Sequence, residues 1–356
     1  MTSREKLLEC DDYLSVLTNE LNASFHTGVF DKFDRKEIDS KLKALQDCLG
    51  RGLKDLDHAI FYDGQYACGI TVHEVPIDLR LCFTAWDESD EMRMEIMDRV
   101  LKAFLRSPWK IQYHEMSTSE FIAANWMDCE ACTSSRESHG YVSFAAFDDA
   151  ISGLFLIVRA GSKTCTSLKR VIPIKNEIFR DVYATSHSLK VLFYVLCKTS
   201  QHLSTLMKNE YSHKYASDSA LLQGNICCLL YYFNNELLGG RIKKQDINSP
   251  PGVLIVCLRD LLVELLGQGL VVTEDDVKVL PGTAKQIEPY IRHGVHLPVY
   301  DLTTDRVLTD RLCSFSLLIQ FFLLGMQNVT DALLAKSDRG CISILVGSTS
   351  GVCKTG

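Results

Sequence analysis

Long apolar segments are missing from this sequence of 356 residues. It has no run of 18 consecutive apolar residues, so we expect no transmembrane helix. The opening residues, MTSREKLLECDDYL, are charged and contain no apolar core of the kind found in secretory signals, so we expect no such signal. With only 8 prolines and 21 glycines, the chain has little material for long linkers.

Positive charge is also scarce. The chain has 38 Lys and Arg residues against 45 Asp and Glu, a net charge of -7, and no arginine-glycine run or lysine-rich tail. Proteins that bind nucleic acid mainly by charge need a basic surface, so only a local basic patch could serve here. The apolar content of 46% is that of a globular protein, and the length allows two domains.

The sequence has 14 cysteines, and because we expect no secretory signal, we expect reduced thiols in the cytosol or nucleus. Many lie in apolar runs such as NICCLLYYF, where a free cysteine behaves as a small core residue. Only Cys129 and Cys132, with His139 after them, have the spacing of metal ligands. Because a structural zinc site needs a fourth ligand, a polar loop is the simpler interpretation, and zinc remains the alternative.

The hydrophobic period changes along the chain and predicts an α+β fold. Residues 1–60 have helical spacing, with Asp34 as a plausible N-cap of the second helix. Alternating segments then predict strands, with one helix among them, and the spacing is helical again from about residue 185. We therefore expect a small mixed sheet with helices, followed by a mostly helical domain. The predicted boundaries are 1–180 for the first domain with its N-terminal helices, 181–340 for the second, and 341–356 for a flexible tail.

The stretch FYDGQYACGITVHEVPIDLRLCF, residues 61–83, contains the main candidate site. Gly64 and Gly69 fit a tight turn whose backbone N–H groups could approach a phosphate, and Asp78 fits the first metal-binding acid of a nucleotidyltransferase. Two-metal nucleotide transfer needs a second acid two residues later and a third on a neighbouring strand. Here the second position is Arg80, and GLFLIVRAG offers Arg159 instead of an acid.

One carboxylate cannot hold two magnesium ions, so we expect a degenerate site with no catalytic residue, no metal ligand and no cofactor. The candidate nucleotide-binding residues are Gly64, Gln65, Gly69 and Asp78. A plain β-hairpin with a charged outer face would give the same pattern without any site.

Other acids could complete the site. Asp55 and Asp57 would form a triad with Asp78, although the glycines before Asp55 are too close to it for the usual intervening helix. Asp148 and Asp149 are a further pair. With either set the chain would be an active template-independent nucleotidyltransferase that uses Mg²⁺. A helical, nucleoprotein-like chain is a third interpretation, which the pI near 5.8 disfavours.

These segments together resemble the DZF domain of the interleukin enhancer-binding factors and the zinc-finger RNA-binding protein. That family has a glycine, a short stretch, a second glycine and an alternating run ending in Asp-Leu, which here are Gly64, Gly69 and Asp78-Leu79. Gln65, Arg80 and the long loop at 117–140 depart from the family pattern. A second match near the C-terminus extends the resemblance over most of 60–335, and its residues are Gly294, Leu297, Pro298, Tyr300, Asp301, Gln320 and Leu333.

The resemblance implies a degenerate nucleotidyltransferase that forms a heterodimer with a related subunit. Such proteins serve RNA-binding or RNA-processing complexes in the nucleus or cytoplasm, away from membranes, and here RNA would be contacted largely by the partner. The pairing surface would lie in the helices of 185–335, where FSLLIQFFLL is apolar on more than one face. A core helix gives the same pattern and is the simpler interpretation. The interface candidates are Phe315, Leu318, Phe321 and Phe322.

Overall fold

The computed structural model describes ten stretches of the chain and scattered positions from 223 to 237. The stretches are 11–66, 68–111, 116–128, 140–162, 180–181, 183–210, 248–267, 299–301, 306–308 and 313–334. The chain divides into two compact units. We call Val29–Arg180 the sheet unit, and Met1–Gly28 with Asp181–Gly356 the helical unit.

The helices and strands are numbered here in chain order. They are α1 (Asp11–Gly28), α2 (Lys32–Gly52), β1 (His58–Asp63), β2 (Ile77–Phe83), a 3₁₀ turn (Thr84–Asp87), α3 (Asp90–Leu105), β3 (Lys110–Ile111), α4 (Thr118–Asn125), β4 (Trp126–Asp128), β5 (Gly140–Phe147), β6 (Phe155–Ser162), α5 (His187–Glu210), α6 (Pro251–Gly267), β7 (Val299–Asp301), β8 (Arg306–Leu308) and α7 (Cys313–Leu334).

The sheet unit is built on a mixed sheet with the strand order β1-β2-β6-β5-β3, in which β4 also pairs with β5. The pair β2–β6 is parallel, and the pairs β1–β2, β5–β6, β3–β5 and β4–β5 are antiparallel. The predicted α+β class with a small mixed sheet is therefore confirmed.

One face of this sheet forms the core of the unit. Along β2, Ile77, Leu79 and Leu81 are fully buried in a cluster with apolar residues of α2, α3, β5 and β6. Successive side chains of a strand point to opposite faces, so Asp78 and Arg80 lie on the other face. The alternation in IDLRLCF thus separates a hydrophobic core from a polar cluster.

Two local predictions are corrected by the capping contacts. The N-cap of α2 is Asp31, whose side chain accepts hydrogen bonds from the N–H groups of Phe33 at 2.7 Å and Asp34 at 2.9 Å. Asp34 therefore lies in the first turn, where a negative charge interacts favourably with the helix dipole. The predicted loop after residue 116 begins with α4, because Ser117 and Glu120 form a reciprocal capping box.

The first helix belongs to the helical unit, although the sequence suggested a continuous domain over 1–180. Leu17 and Leu21 of α1 are fully buried, and α1 packs against α5 and α6. The approach to α6 is close, because the N–H of Gly252 donates to the hydroxyl of Thr18 at 3.2 Å. The helical unit is therefore assembled from two separate parts of the chain.

The interface candidates lie on α7. Leu318 and Phe322 are completely buried within the single chain, so their side chains belong to the core and offer no surface to a partner. Phe321 is partly buried, and it remains an interface candidate. The side chain of Phe315 falls outside the part of the chain that the structure describes.

Several predictions concern residues outside the described ranges, namely the segment Cys129–His139 and the tail 341–356. Among the residues whose side chains the structure describes, six free cysteines are all buried, as expected for thiols that act as core residues: Cys48, Cys68, Cys82, Cys197, Cys227 and Cys257. In the same part of the chain, no helix combines the length and apolar character needed to cross a membrane.

The packing of α1 on α6 can be tested at Gly252. A Cβ there would lie 2.5 Å from the Thr18 hydroxyl and 2.8 Å from the backbone oxygen of Leu14, which cannot move without shifting the helix. We expect Gly252→Ala to lower the free energy of unfolding by about 1–3 kcal/mol, measured by urea denaturation. Gly50→Ala in α2 is the control, since nothing lies within 4 Å of its Cβ position. Equal effects of the two substitutions would contradict the close approach.

Candidate active site

The two glycines do form a tight turn after β1. Gly64 has a φ of 66° and Gly69 a φ of 71°, a region that side chains with a Cβ rarely adopt. The N–H of Gly64 donates to Asp63 at 2.8 Å, and the N–H of Gly69 donates to the carbonyl of Tyr66 at 3.1 Å. In this conformation both glycine N–H groups are therefore used inside the turn.

Gln65 holds the turn closed. Its side chain is fully buried, and its amide nitrogen donates to the carbonyls of Val75 at 2.7 Å and Pro76 at 3.0 Å. Its amide oxygen accepts from the N–H of Val72 at 2.7 Å. Gln65 thus fastens the turn to the approach of β2, whereas the sequence suggested that it contacts a nucleotide.

Asp78 lies at the beginning of β2, directly opposite Asp63 at the end of β1. Both are buried, with 1% and 2% of their surface exposed. Asp63 was not among the residues predicted from the sequence. Its signal is its place in FYDGQ, where an acid ends a largely apolar strand just before the first glycine of the turn.

Arg80 binds both of these acids. One of its terminal nitrogens lies 3.0 Å from Oδ2 of Asp78 and 3.5 Å from Oδ2 of Asp63, and its Nε donates to Asp78 at 3.2 Å. Arg159 on β6 pairs in register with Arg80 and lies 3.5 Å from the same Asp78 oxygen. The structure therefore brings Asp78, Arg80 and Arg159 together as the sequence suggested, and adds Asp63.

The four charges balance one another. Burial disfavours the charged form of Arg80, but the carboxylates of Asp78 and Asp63 outweigh it and raise the pKa of Arg80 above its ordinary value. Two carboxylates and two guanidinium groups have no net formal charge. At an effective dielectric constant of about 20, each arginine about 4 Å from a divalent ion would repel it by roughly 8 kcal/mol, which cancels the attraction of one carboxylate.

A two-metal centre does not fit this set of side chains. Magnesium requires oxygen ligands, whereas a guanidinium group has only hydrogen-bond donors and no lone pair to offer. Oδ1 of Asp78 and one Nη of Arg159 are buried and have no hydrogen-bond partner among the described residues. An acceptor and a donor thus lie close together, an arrangement that a bridging water could satisfy.

The alternative acids lie elsewhere. Asp55 and Asp57 precede the end of β1 at which His58 pairs with Phe83, whereas Asp78 pairs at the other end. Five residues of extended strand separate the two ends by about 17 Å, too far for one metal centre. The triad of Asp55, Asp57 and Asp78 is therefore excluded by the register.

Asp148 has a structural role. Both of its carboxylate oxygens lie 2.7 Å from Nζ of Lys41, and the N–H groups of Ala150 and Ile151 donate to Oδ1 at 2.9 Å. These contacts fasten the turn between β5 and β6 to α2. Asp149 is exposed and pairs with Lys110. Neither acid reaches the Asp78 cluster through a contact between described residues.

The chain is similar to several solved structures. The polymerase core of TRAMP, an RNA surveillance complex, aligns with 96% of this chain and 95% of its own, with a TM-score of 0.52 and 11% identity. Cid1 poly(U) polymerase bound to Mg 3'-dATP has a TM-score of 0.49 and 14% identity, and the alignment covers 92% of this chain and 98% of that one. The GLD-2/RNP-8 complex has a TM-score of 0.40 and 9% identity, and the alignment covers 72% of this chain and 76% of that one.

The chain has a nucleotidyltransferase-type fold. That conclusion rests on the TRAMP polymerase core, and at 11% identity the likeness concerns the fold alone. No family model and no curated protein matches the sequence.

Replacing Arg80 tests whether it holds the cluster together. Arg80→Met keeps much of the side-chain volume but leaves Asp63 and Asp78 buried without their shared cation. We expect the free energy of unfolding to fall by about 3–5 kcal/mol, because breaking a buried ion pair leaves an uncompensated charge. Urea denaturation measures the loss.

Arg99→Met is the matched control for that substitution. Arg99 forms an exposed pair with Glu95 one turn earlier in α3, and such pairs contribute about 0.5 kcal/mol or less. Similar losses in the two variants would show that the Arg80 cluster has no special importance for stability.

Proposed function

We propose that this protein is a catalytically inactive nucleotidyltransferase-fold scaffold of the DZF type. It forms a heterodimer with a related subunit and works in an RNA-binding or RNA-processing complex in the nucleus or cytoplasm. The observation that carries the proposal is the replacement of two expected metal-binding acids by Arg80 and Arg159, both of which contact the one acid that remains.

The chemistry of the cluster supports the absence of nucleotide transfer. Transfer requires a metal to activate the attacking hydroxyl and to neutralise the charge of the leaving pyrophosphate. Arg80 and Arg159 can neutralise charge, but a guanidinium group cannot accept a proton from a hydroxyl. Both carboxylates contact Arg80, so neither is well placed to act as a base. The residues of the site therefore hold the fold together and lack the groups for the reaction.

An active template-independent nucleotidyltransferase that uses Asp78 with other acids is the second candidate. The observation that favours it is the juxtaposition of Asp63 and Asp78, which gives two carboxylates at one end of the β1–β2 pair. In that case Arg80 would have to leave the space between them when a nucleotide and Mg²⁺ bind.

Incubation with labelled nucleotide separates the two candidates. The purified chain is given each labelled ribonucleotide, an RNA primer, and Mg²⁺ or Mn²⁺. We expect no extended primer from the wild type, because the site cannot hold the metal ions. Metal-dependent product that disappears in Asp78→Ala would establish the active enzyme instead.

The proposed heterodimer makes a separate prediction. Val16 on α1 and Val263 on α6 are apolar side chains of the helical unit that are 42% and 54% exposed. If this unit pairs with a related chain, we expect Val16→Glu with Val263→Glu to reduce recovery of a copurifying nucleotidyltransferase-fold subunit at least tenfold. Tagged protein is isolated from its native cells, and the subunit is identified and quantified by mass spectrometry.

Phe33→Glu is the control for the pairing experiment. Phe33 is 80% exposed on α2, in the sheet unit, and its replacement introduces the same charge. We expect the subunit to be retained in this variant. Loss of the subunit only with Phe33→Glu would move the pairing surface to the sheet unit, and recovery of no related subunit by the wild type would contradict the heterodimer.

A further inference from the structure

Two histidines meet in the helical unit, away from the candidate active site. His26 lies in the last turn of α1, and His187 is the first residue of α5. Their rings are stacked, with centroids 6.1 Å apart and planes inclined by 25°. The contact therefore joins the end of one helix to the beginning of another from a distant part of the chain.

The surrounding side chains hold His187 in one orientation. Its Nε2 lies 2.9 Å from the side-chain oxygen of Asn22, an atom that can only accept, so Nε2 carries a hydrogen. The ring of Phe25 meets it edge-on at 5.3 Å, and Phe25 also contacts Tyr194 two turns further along α5. An added proton would therefore bind Nδ1 while the ring stays against His26.

The surroundings of His187 disfavour its charged form. Partial burial, the nearby His26 and the cation Lys190 on its own helix lower the pKa of His187. Asn22 and Phe25, described side chains of α1 that also contact the His187 ring, are uncharged. His187 also begins a helix whose Ser186 hydroxyl accepts from the N–H of Leu189, and a helix N-terminus repels positive charge.

We propose that the His26–His187 stack is an acid-sensitive contact between α1 and α5. While His187 is uncharged, the two rings stack and the last turn of α1 stays against α5. At lower pH His187 gains a proton, and this positive charge, which His26, Lys190 and the beginning of α5 disfavour, loosens that turn. The contact thus makes the attachment of α1 to the helical unit dependent on pH.

Proton linkage gives the direction in which stability changes with pH. Because the pKa of His187 is lower in the folded chain than in the unfolded one, the unfolded chain binds more protons between those two values. The contribution of His187 to the free energy of unfolding is therefore fully present above the unfolded pKa near 6.5. It falls as the pH decreases through that value, and it levels off below the folded pKa.

Titration of the histidine rings by NMR in the full chain tests the proposal. In the wild type we expect the His187 midpoint to lie below 6.5. In His26→Gln we expect it to rise by about 0.5 pH unit, the shift that one unit charge about 6 Å away produces in water. An unchanged midpoint, or a wild-type midpoint at or above 6.5, would overturn the proposal.

Amide hydrogen exchange gives an independent measurement on the same proteins. After correction for intrinsic rates, we expect protection of the last turn of α1 to decrease at least threefold between pH 7.5 and 5.5 in the wild type. That decrease should be smaller in His26→Gln and His187→Gln. His58→Gln, which removes a histidine from the sheet unit, should behave as the wild type does. Equal decreases in all four proteins would mean that the stack does not set the pH response.

Discussion

The guanidinium group of Arg80 is the contact on which the candidate site depends. It lies between two carboxylates that are almost completely buried, and without a cation there the two negative charges would repel each other in a medium of low dielectric constant. Arg159 brings the neighbouring parallel strand to the same point. The arrangement ties β1, β2 and β6 together on the face of the sheet opposite the hydrophobic core. Two neighbouring buried acids are here neutralised by cationic side chains of the same chain.

Much of the sheet unit could be predicted from the sequence because its local patterns agree with its packing. The alternation in IDLRLCF predicted a strand, and the structure has Ile77 in the core with Asp78 and Arg80 on the opposite face. Arg159 was noticed in GLFLIVRAG because an acid was expected there. Asp63 was missed because its importance depends on which residue it faces across the hairpin, and one strand does not reveal its register. Gln65 was predicted to bind a nucleotide because the sequence does not reveal its three backbone partners. They come close to its side chain only when the turn closes.

Prediction was weaker for the grouping of helices. The spacing of apolar residues in α1 indicated a helix, but an apolar face does not say which element covers it. Proximity in sequence suggested the following sheet, whereas α1 packs with α5 and α6. The same ambiguity affects α7, where Leu318 and Phe322 have the apolar character of an interface and are core residues of the single chain. A pattern gives the shape of an element more readily than its neighbours.

The discontinuous helical unit has a consequence for synthesis of the protein. The ribosome makes α1 first, but the helices that bury its apolar face follow more than 150 residues later, after the entire sheet unit. At about 5–20 residues per second, that face waits on the order of ten seconds for its partners. During this interval the sheet unit, which is continuous in sequence, is synthesised completely. The nascent chain therefore exposes an apolar helix, the kind of surface that chaperones bind.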